Sequence, residues 1–249
     1  GKSRATLAWS RRLTEAVRKL HILHYRSLAL AQTVDRDLAR TGVSTIERGA
    51  HMIPINDRPE DHRRRTPYVT YTLVALNVLV FLYELTLGPQ LESFILTFGA
   101  TPLAITTGQN TSTTIPVSPY VTLITSQFIH FGLLHIVGNL VFLWVFGDNV
   151  EDAIGHIPFL LFYLAVGIIA GLSQVLIAPL STTPSIGASG AIAGVLAGYL
   201  LLYPHAPVRT LLIIGPFITV TWISALFLIG FWFVLQLFNG VLSLGDVQA

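Results

Sequence analysis

Ser189 lies in a run of small residues, and its type and setting suit two different roles. Residues 185–194 read SIGASGAIAG. A serine hydroxyl can attack a carbonyl carbon when a base accepts its proton. The same stretch carries Gly190 and Gly194, and Gly198 follows at the same spacing of four, which lets transmembrane helices approach one another closely. Ser189 therefore suits a nucleophile, and its surroundings equally suit a packing surface.

His130, His135 and Asn139 are polar residues in the apolar stretch FIHFGLLHIVGNLVFLWVFG. Polar side chains at membrane depth are costly and are functional candidates. On a helix, His135 and Asn139 lie about 40° apart, whereas His130 lies about 140° from His135. These directions do not converge as metal ligands must, so we expect neither a metal nor another cofactor. Two roles stay open for these residues: hydrogen bonds to neighbouring helices, or participation in a reaction.

The composition is typical of a membrane protein. The mean hydropathy is +0.65, and only 11% of the 249 residues are charged, which excludes an ordinary soluble domain. Fourteen of the fifteen Lys and Arg residues precede position 66, so a basic N-terminal arm is followed by an almost uncharged body. The absence of cysteine excludes disulfides and a thiolate nucleophile. We expect the lipid bilayer as a partner and no nucleic acid.

The elements that position these residues are predicted to be membrane-spanning helices. A bilayer core of roughly 30 Å requires about 20 helical residues. Five apolar stretches reach or approach that length: 68–87, 122–146, 157–178, 189–203 and 211–238. In lipid such stretches must be helices, because a helix satisfies its own backbone polar groups. The predicted fold class is an all-α, polytopic bundle of transmembrane helices with five spans.

The basic residues predict the orientation. Arg63, Arg64 and Arg65 directly precede the first span, and Arg209 lies between the fourth and fifth. Loops 88–119 and 179–188 contain no Lys or Arg, so the N-terminus is expected in the cytoplasm and both loops outside. We therefore expect a multi-pass integral membrane protein. The first loop suits an amphipathic element in the membrane interface or a disordered segment, and the sequence does not decide between them.

The predicted depth of Ser189 favours chemistry. Its span is about 15 residues or roughly 22 Å long, so Ser189 is expected about 8 Å below the outer boundary, near the level of His135 and Asn139. At a helix N-terminus beside Gly187, the backbone N–H of Ser189 and the helix dipole favour an oxyanion. Two side-chain donors, from His135 and Asn139, would each contribute about 3 to 4 kcal/mol to such a site. A general base is still required.

Residues 1–51 differ from the rest of the chain. They are basic, and their apolar residues fit one face of a helix, which is typical of a membrane-surface helix. Met52 is the only methionine in the chain, so residues 1–51 are alternatively an extension that is not native, and we expect the latter. The predicted domains are this extension, a cytoplasmic arm at 52–67, and a membrane domain at 68–249.

Two motifs resemble the rhomboid family of intramembrane serine proteases. They are TSQFIHFGLLHIVGNLVFLWVFGDNVEDAIGH, with His135 and Asn139 at the HxxxN positions, and GASGAIAGVLAGYLLLYP, with the serine of GxSG at Ser189. The resemblance spans position 52 to the C-terminus. It implies a hydrolase with a Ser–His dyad: Ser189 attacks a peptide carbonyl, while His135, Asn139 and the Ser189 amide hold the oxyanion beside Gly187.

The resemblance also implies the substrate and the compartment. The expected substrates are single-pass membrane proteins, cut near the outer face of their transmembrane segment. The expected location is a bacterial cell (inner) membrane. Thr125, Ser126, His130 and His135 are expected to keep a polar pocket hydrated for the reaction.

The chain departs from the family at its C-terminus and at Ala193, where some members have an aromatic residue beside the dyad. It stops at SLGDVQA, where a sixth helix with the base histidine would follow. His156 and His205 fall in predicted cytoplasmic loops and do not replace that residue. We expect a fragment cut before the sixth helix, which would have packed on the Gly190, Gly194 and Gly198 face. The alternative is a catalytically inactive rhomboid-like protein that binds or escorts transmembrane segments.

Overall fold

The computed structural model describes residues 51–58, 65–109, 116–214 and 216–246, with side chains to residue 237. The predicted N-terminal surface helix, Arg63 and Arg64 lie outside these residues. One compact unit comprises His51–Ile213 and Ile218–Ala249, and a second comprises Gly1–Ala50 and Ile214–Phe217. The second unit falls almost wholly outside the described residues. The predicted domain boundaries stay predictions.

The protein is mostly helical and contains one small sheet. In chain order the elements are β1 (His51–Asp57), α1 (Tyr68–Leu87), α2 (Leu91–Phe98), α3 (Pro102–Thr107), α4 (Thr122–Thr125), α5 (Leu133–Ile154), α6 (His156–Ile177), α7 (Ser189–Leu202), β2 (Pro207–Ile214), β3 (Phe217–Ser224) and α8 (Ala225–Asp246).

Three of the five predicted spans correspond to single helices. The stretches at 68–87, 157–178 and 189–203 correspond to α1, α6 and α7 within one residue at each end. Within the described residues, three segments are long and apolar enough to cross a bilayer: Tyr68–Phe98, Leu133–Ile154 and His156–Ile177. Ser189–Leu202 and Ala225–Leu237 are shorter apolar helices. The loop after α1 contains α2 and α3, while most of its polar run lies outside the described residues.

The prediction of one continuous second span from residue 122 was wrong. The chain makes the short helix α4 and one 3-10 turn, and α5 begins only at Leu133. Gly132 is extended, with φ −176 and ψ 165. The backbone N–H of His130 lies 3.2 and 3.3 Å from the two carboxylate oxygens of Glu84 on α1, instead of bonding within a helix. His135 consequently lies in the first turn of α5.

The predictions of an all-α fold and of a single helical fifth span at 211–238 were also wrong. Residues 207–224 form β2 and β3, and the sheet order is β1–β2–β3. Hydropathy does not distinguish an apolar strand from an apolar helix, but the β-branched run FITVTWIS favours a strand. β1 pairs antiparallel with β2 from His51↔Ile213 to Asp57↔Val208. The predicted cytoplasmic arm thus contributes an edge strand.

The glycine face of α7 packs on α6. A Cβ placed on Gly194 would overlap the side chain of Val166, and one placed on Gly190 would lie 2.6 Å from the Cβ of Ala170. Small residues permit this close approach, as the spacing of four predicted. The expected neighbour was wrong, however, because α6 occupies this face where we expected a sixth helix.

A buried carboxylate joins the start of α1 to the end of α5. Glu151 accepts hydrogen bonds from the backbone N–H of Val69 at 2.9 Å, and from the N–H and hydroxyl of Thr70, both at 2.7 Å. A helix N-terminus has unpaired N–H donors and a positive dipole end, so a carboxylate stabilises it. His156 Nδ1 lies 2.5 Å from the same side chain. These bonds set the position of α5, which carries His135 and Asn139.

Candidate active site

Ser189 is the first residue of α7, and its side chain is exposed. Gly187, two residues earlier, has φ +112, in the left-handed region that glycine adopts without strain. Its backbone N–H donates to the carbonyl oxygen of Ser126 at 2.8 Å. The turn that leads into Ser189 is therefore held by the backbone, and the serine begins its helix as the sequence predicts.

His135 and Asn139 both approach Gly187. A Cβ on Gly187 would lie 2.6 Å from His135 Nε2 and 3.7 Å from Asn139 Nδ2. The lack of a side chain at Gly187 lets the first turns of α5 come up to the turn before Ser189. The structure thus brings the four predicted site residues into one neighbourhood, while their catalytic roles stay predictions.

Two atoms of this group have unused hydrogen-bonding capacity. Asn139 is buried, and its Nδ2 has no hydrogen-bond partner within the described part of the chain; the same holds for Nδ1 of His135. A buried donor without a partner costs about 1 to 3 kcal/mol. Such a cost is typical of a group that binds something only transiently, and an amide N–H is suited to an anionic oxygen.

The hydrated pocket expected from Thr125, Ser126, His130 and His135 stays a prediction, and the structure shows the protein contacts of these residues. Thr125 donates its hydroxyl to Phe98 O at 2.6 Å. His130 is buried, its Nδ1 lies 3.3 Å from Phe128 O, and its ring centroid lies 5.0 Å from that of His135. Thr125 and His130 therefore make contacts that are typical of residues supporting the site. His130 packs directly against the ring that reaches Gly187.

Sequence reasoning missed Glu84. This carboxylate is 2% exposed on α1 and accepts the backbone N–H of His130. It supports the bend that ends in Gly132 and starts α5, and so it acts on the position of His135. A lone glutamate within an apolar span was a detectable signal, because ionisable groups at that depth need a partner.

The other two described histidines of the membrane domain lie far from Ser189. His156 contacts Glu151, which follows His135 on α5 by sixteen residues or roughly 24 Å. His205 is exposed in the turn after α7, at the opposite end of that helix from Ser189. Neither residue is positioned to accept a proton from the Ser189 hydroxyl.

Comparison with known proteins decides the family. The family model described as "Rhomboid domain" matches residues 118–249, slightly more than half of the chain. The chain belongs to the rhomboid family. The matched region contains the four site residues, whereas β1 and α1 precede it. Together with its long apolar helices, rhomboid membership makes this an integral membrane protein that lies in a lipid bilayer.

Individual rhomboid relatives match over part of their length. Rhomboid protease GluP from Bacillus subtilis (strain 168) is 34% identical over 135 residues, which are 54% of this chain and 24% of the relative. The mitochondrial presenilin-associated rhomboid-like protein of Homo sapiens is 31% identical over 152 residues, 60% of this chain and 36% of the relative. The chloroplastic rhomboid-like protein 11 of Arabidopsis thaliana is 35% identical over 98 residues, which are 38% of this chain and 35% of the relative. The alignments span about a quarter to a third of these relatives.

Proposed function

We propose that this protein is an intramembrane serine endopeptidase and that Ser189 is its nucleophile. The observation that supports this most strongly is the approach of His135 and Asn139 to Gly187, directly before an exposed serine at a helix N-terminus. The name of the Bacillus relative, a rhomboid protease, agrees with this chemistry. A packing role alone does not explain why a buried Asn139 amide faces this turn without a partner.

In the proposed reaction the Ser189 hydroxyl oxygen attacks the peptide carbonyl carbon and loses its proton to a base. The carbonyl oxygen becomes an anion, which the Ser189 N–H, the Asn139 amide and His135 stabilise. The base gives this proton to the leaving nitrogen as the intermediate collapses, which releases the amine and leaves an acyl-enzyme. Water, deprotonated by the same base, then hydrolyses the acyl-enzyme to the acid and restores the Ser189 hydroxyl. The base of this proposed dyad is the histidine that the rhomboid resemblance implies, and His156 and His205 lie too far from Ser189 to take that role.

The proposed substrates are single-pass membrane proteins, cut near the outer face of their transmembrane segment, with the N-terminus of the enzyme in the cytoplasm. The pairing of β1 with β2 supports this orientation, because it joins the N-terminal arm to the end of α7 opposite Ser189. Arg58 and Arg209 belong to that side, as the positive-inside rule requires for a cytoplasmic face. The proposed location is a bacterial cell (inner) membrane, and no nucleic acid takes part.

The alternative is a catalytically inactive rhomboid that binds or escorts transmembrane segments. The distance of His156 and His205 from Ser189 favours it. The two functions differ in the reactivity of the serine. Full-length protein in liposomes should react with a fluorophosphonate probe at Ser189 if it is a protease, and an escort protein should capture a single-span segment without reacting.

The deciding experiment compares two serines in the full-length protein, reconstituted with a model single-span substrate. Ser189→Ala should abolish both cleavage and probe labelling. Ser173→Ala is the matched control: Ser173 is exposed on α6, and its hydroxyl only donates to Ile169 O at 2.9 Å within the helix. That variant should cleave as the unmodified protein does. Cleavage that persists in Ser189→Ala would rule out Ser189 as the nucleophile.

A further inference from the structure

We propose that Asp57, in the strand β1, is a positioning residue that clamps α5 to α7 from the end opposite Ser189. The clamp rests on the proposed function, because these two helices carry the proposed site. Asp57 lies outside the region matched by the rhomboid family model, which begins at residue 118. The N-terminal arm thereby becomes part of the machinery that sets the site geometry.

One carboxylate oxygen bridges the two helices. Asp57 Oδ2 accepts a hydrogen bond from Asn149 Nδ2 of α5 at 2.7 Å and from the Tyr199 hydroxyl of α7 at 2.5 Å. Asp57, Asn149 and Tyr199 are 7%, 4% and 0% exposed. Hydrogen bonds to a carboxylate are roughly twice as strong as those between neutral groups. The bridge is thus a strong and shielded link between α5 and α7.

The clamp lies equally far from the site on both helices. Asn149 follows Asn139 by ten residues on α5, and Tyr199 follows Ser189 by ten residues on α7. Ten helical residues correspond to about 15 Å. Each helix transmits a change of tilt at the clamp to its other end, where Asn139 and Ser189 face the same turn. The separation of these helices at Asp57 therefore affects the alignment of the nucleophile with its oxyanion donors.

A bulge in β1 directs Asp57 inward. The register with β2 shifts between Pro54 and Asn56, and the two buried residues of this stretch are Pro54 and Asp57, three apart. Regular alternation would instead bury Pro54 and Asn56. Bulges commonly redirect a side chain in this way. The redirected residue is the one whose carboxylate reaches both helices.

The sheet also holds the clamp in place. Arg58 N donates to Pro207 O at 3.0 Å, directly after Asp57 in the chain. The Arg58 guanidinium lies over the Trp222 ring of β3, 4.9 Å from its centroid. Asn149 Nδ2 contacts Asp148 Oδ1 at 2.9 Å as well, which orients the amide. The carboxylate is thus fixed by backbone pairing on one side and receives its two donors on the other.

The test measures the α5–α7 separation and the reaction separately. The 249 residues contain no cysteine, so Ile154→Cys and Leu201→Cys, both exposed near the clamp end, allow two spin labels at defined positions of this chain. Asp57→Asn and Tyr199→Phe should each shift or broaden the distribution of distances between the two labels.

The reaction is measured in the same variants without the labels. Each should lower kcat about tenfold with little change in KM, since a displacement of about 1 Å at a reacting group lowers the rate by up to a hundredfold. Combining them should add little, because both remove the same bridge.

Tyr163→Phe is the matched control, because Tyr163 is also fully buried but lies on α6. It should leave the distance distribution and kcat unchanged. Unchanged distances in Asp57→Asn, or a kcat loss that only follows the fraction of unfolded protein, would overturn the clamp. Absence of cleavage and probe labelling in the unmodified protein would instead overturn the proposed function, while the spin-label distances would still decide whether Asp57 holds the helices.

Discussion

His135 Nε2 lies where a side chain at Gly187 would have to be, 2.6 Å from the position of a Cβ on that glycine. The turn before Ser189 and the first turn of α5 are therefore mutually dependent. A residue larger than glycine at position 187 has to displace the imidazole, the turn, or both. The predictions below test this relationship and the contacts that maintain it.

Gly187→Ala should inactivate the protein. The new methyl group would collide with His135, and a non-glycine residue at φ +112 costs on the order of 1 to 3 kcal/mol in backbone strain. We expect a large drop in the rate of fluorophosphonate labelling and a lower Tm. Gly138→Ala is the control, because a Cβ there meets nothing within 4 Å. Equal labelling rates in the two variants would contradict the close packing at Gly187.

Asn139→Ala should lower activity without lowering stability. Loss of one oxyanion donor reduces kcat by about a hundredfold to a thousandfold. Because Asn139 Nδ2 has no partner in the described structure, its removal should leave Tm unchanged or raise it. Asn149→Ala should instead lower Tm, since its amide bonds to Asp57. Cleavage kinetics and thermal unfolding of both variants provide the comparison, and a lower Tm for Asn139→Ala would indicate a structural role.

Glu151→Gln should destabilise the fold. Its carboxylate accepts three hydrogen bonds from Val69 and Thr70, and bonds to a charged group contribute about 1.5 to 3 kcal/mol each. The neutral amide of glutamine keeps one acceptor oxygen, so some of the hydrogen bonds remain. We expect a partial loss of folding stability, measured as a lower Tm in detergent. Asp152→Asn is the neighbouring control, because its Oδ1 accepts an exposed bond from Arg65 N. A larger effect at Asp152 would contradict this assignment.

Gly194→Ala should loosen the packing of α7 on α6, because the added methyl overlaps Val166. We expect a Tm decrease that corresponds to about 1 to 3 kcal/mol of overpacking. Gly198→Ala should be tolerated, since its Cβ would lie 3.6 Å from Phe162, at ordinary contact distance. Val166→Ala should restore part of the stability lost in Gly194→Ala. Failure of that rescue would show that another surface determines the cost at Gly194.

The sequence by itself determined the features that depend on neighbouring residues. The apolar stretches at 68–87 and 157–178 are long enough that only helices satisfy their backbone in lipid, and α1 and α6 are those helices. The glycines of α7 repeat at four-residue spacing, which predicted a close helix contact. The two motifs around Asn139 and Ser189 were sufficient for the family.

Only the tertiary structure decided which distant segments meet. β2 and β3 are as apolar as a helical span, and β2 pairs with β1, a strand more than 140 residues earlier in the chain. Asp57 and Tyr199 are hydrogen-bonded although 142 positions separate them in the chain. No repeating pattern among neighbouring residues predicts a contact at that separation. The same holds for the approach of His135 to Gly187. Periodicity in a sequence reports which face of an element is apolar, whereas its neighbour depends on how all the elements pack together.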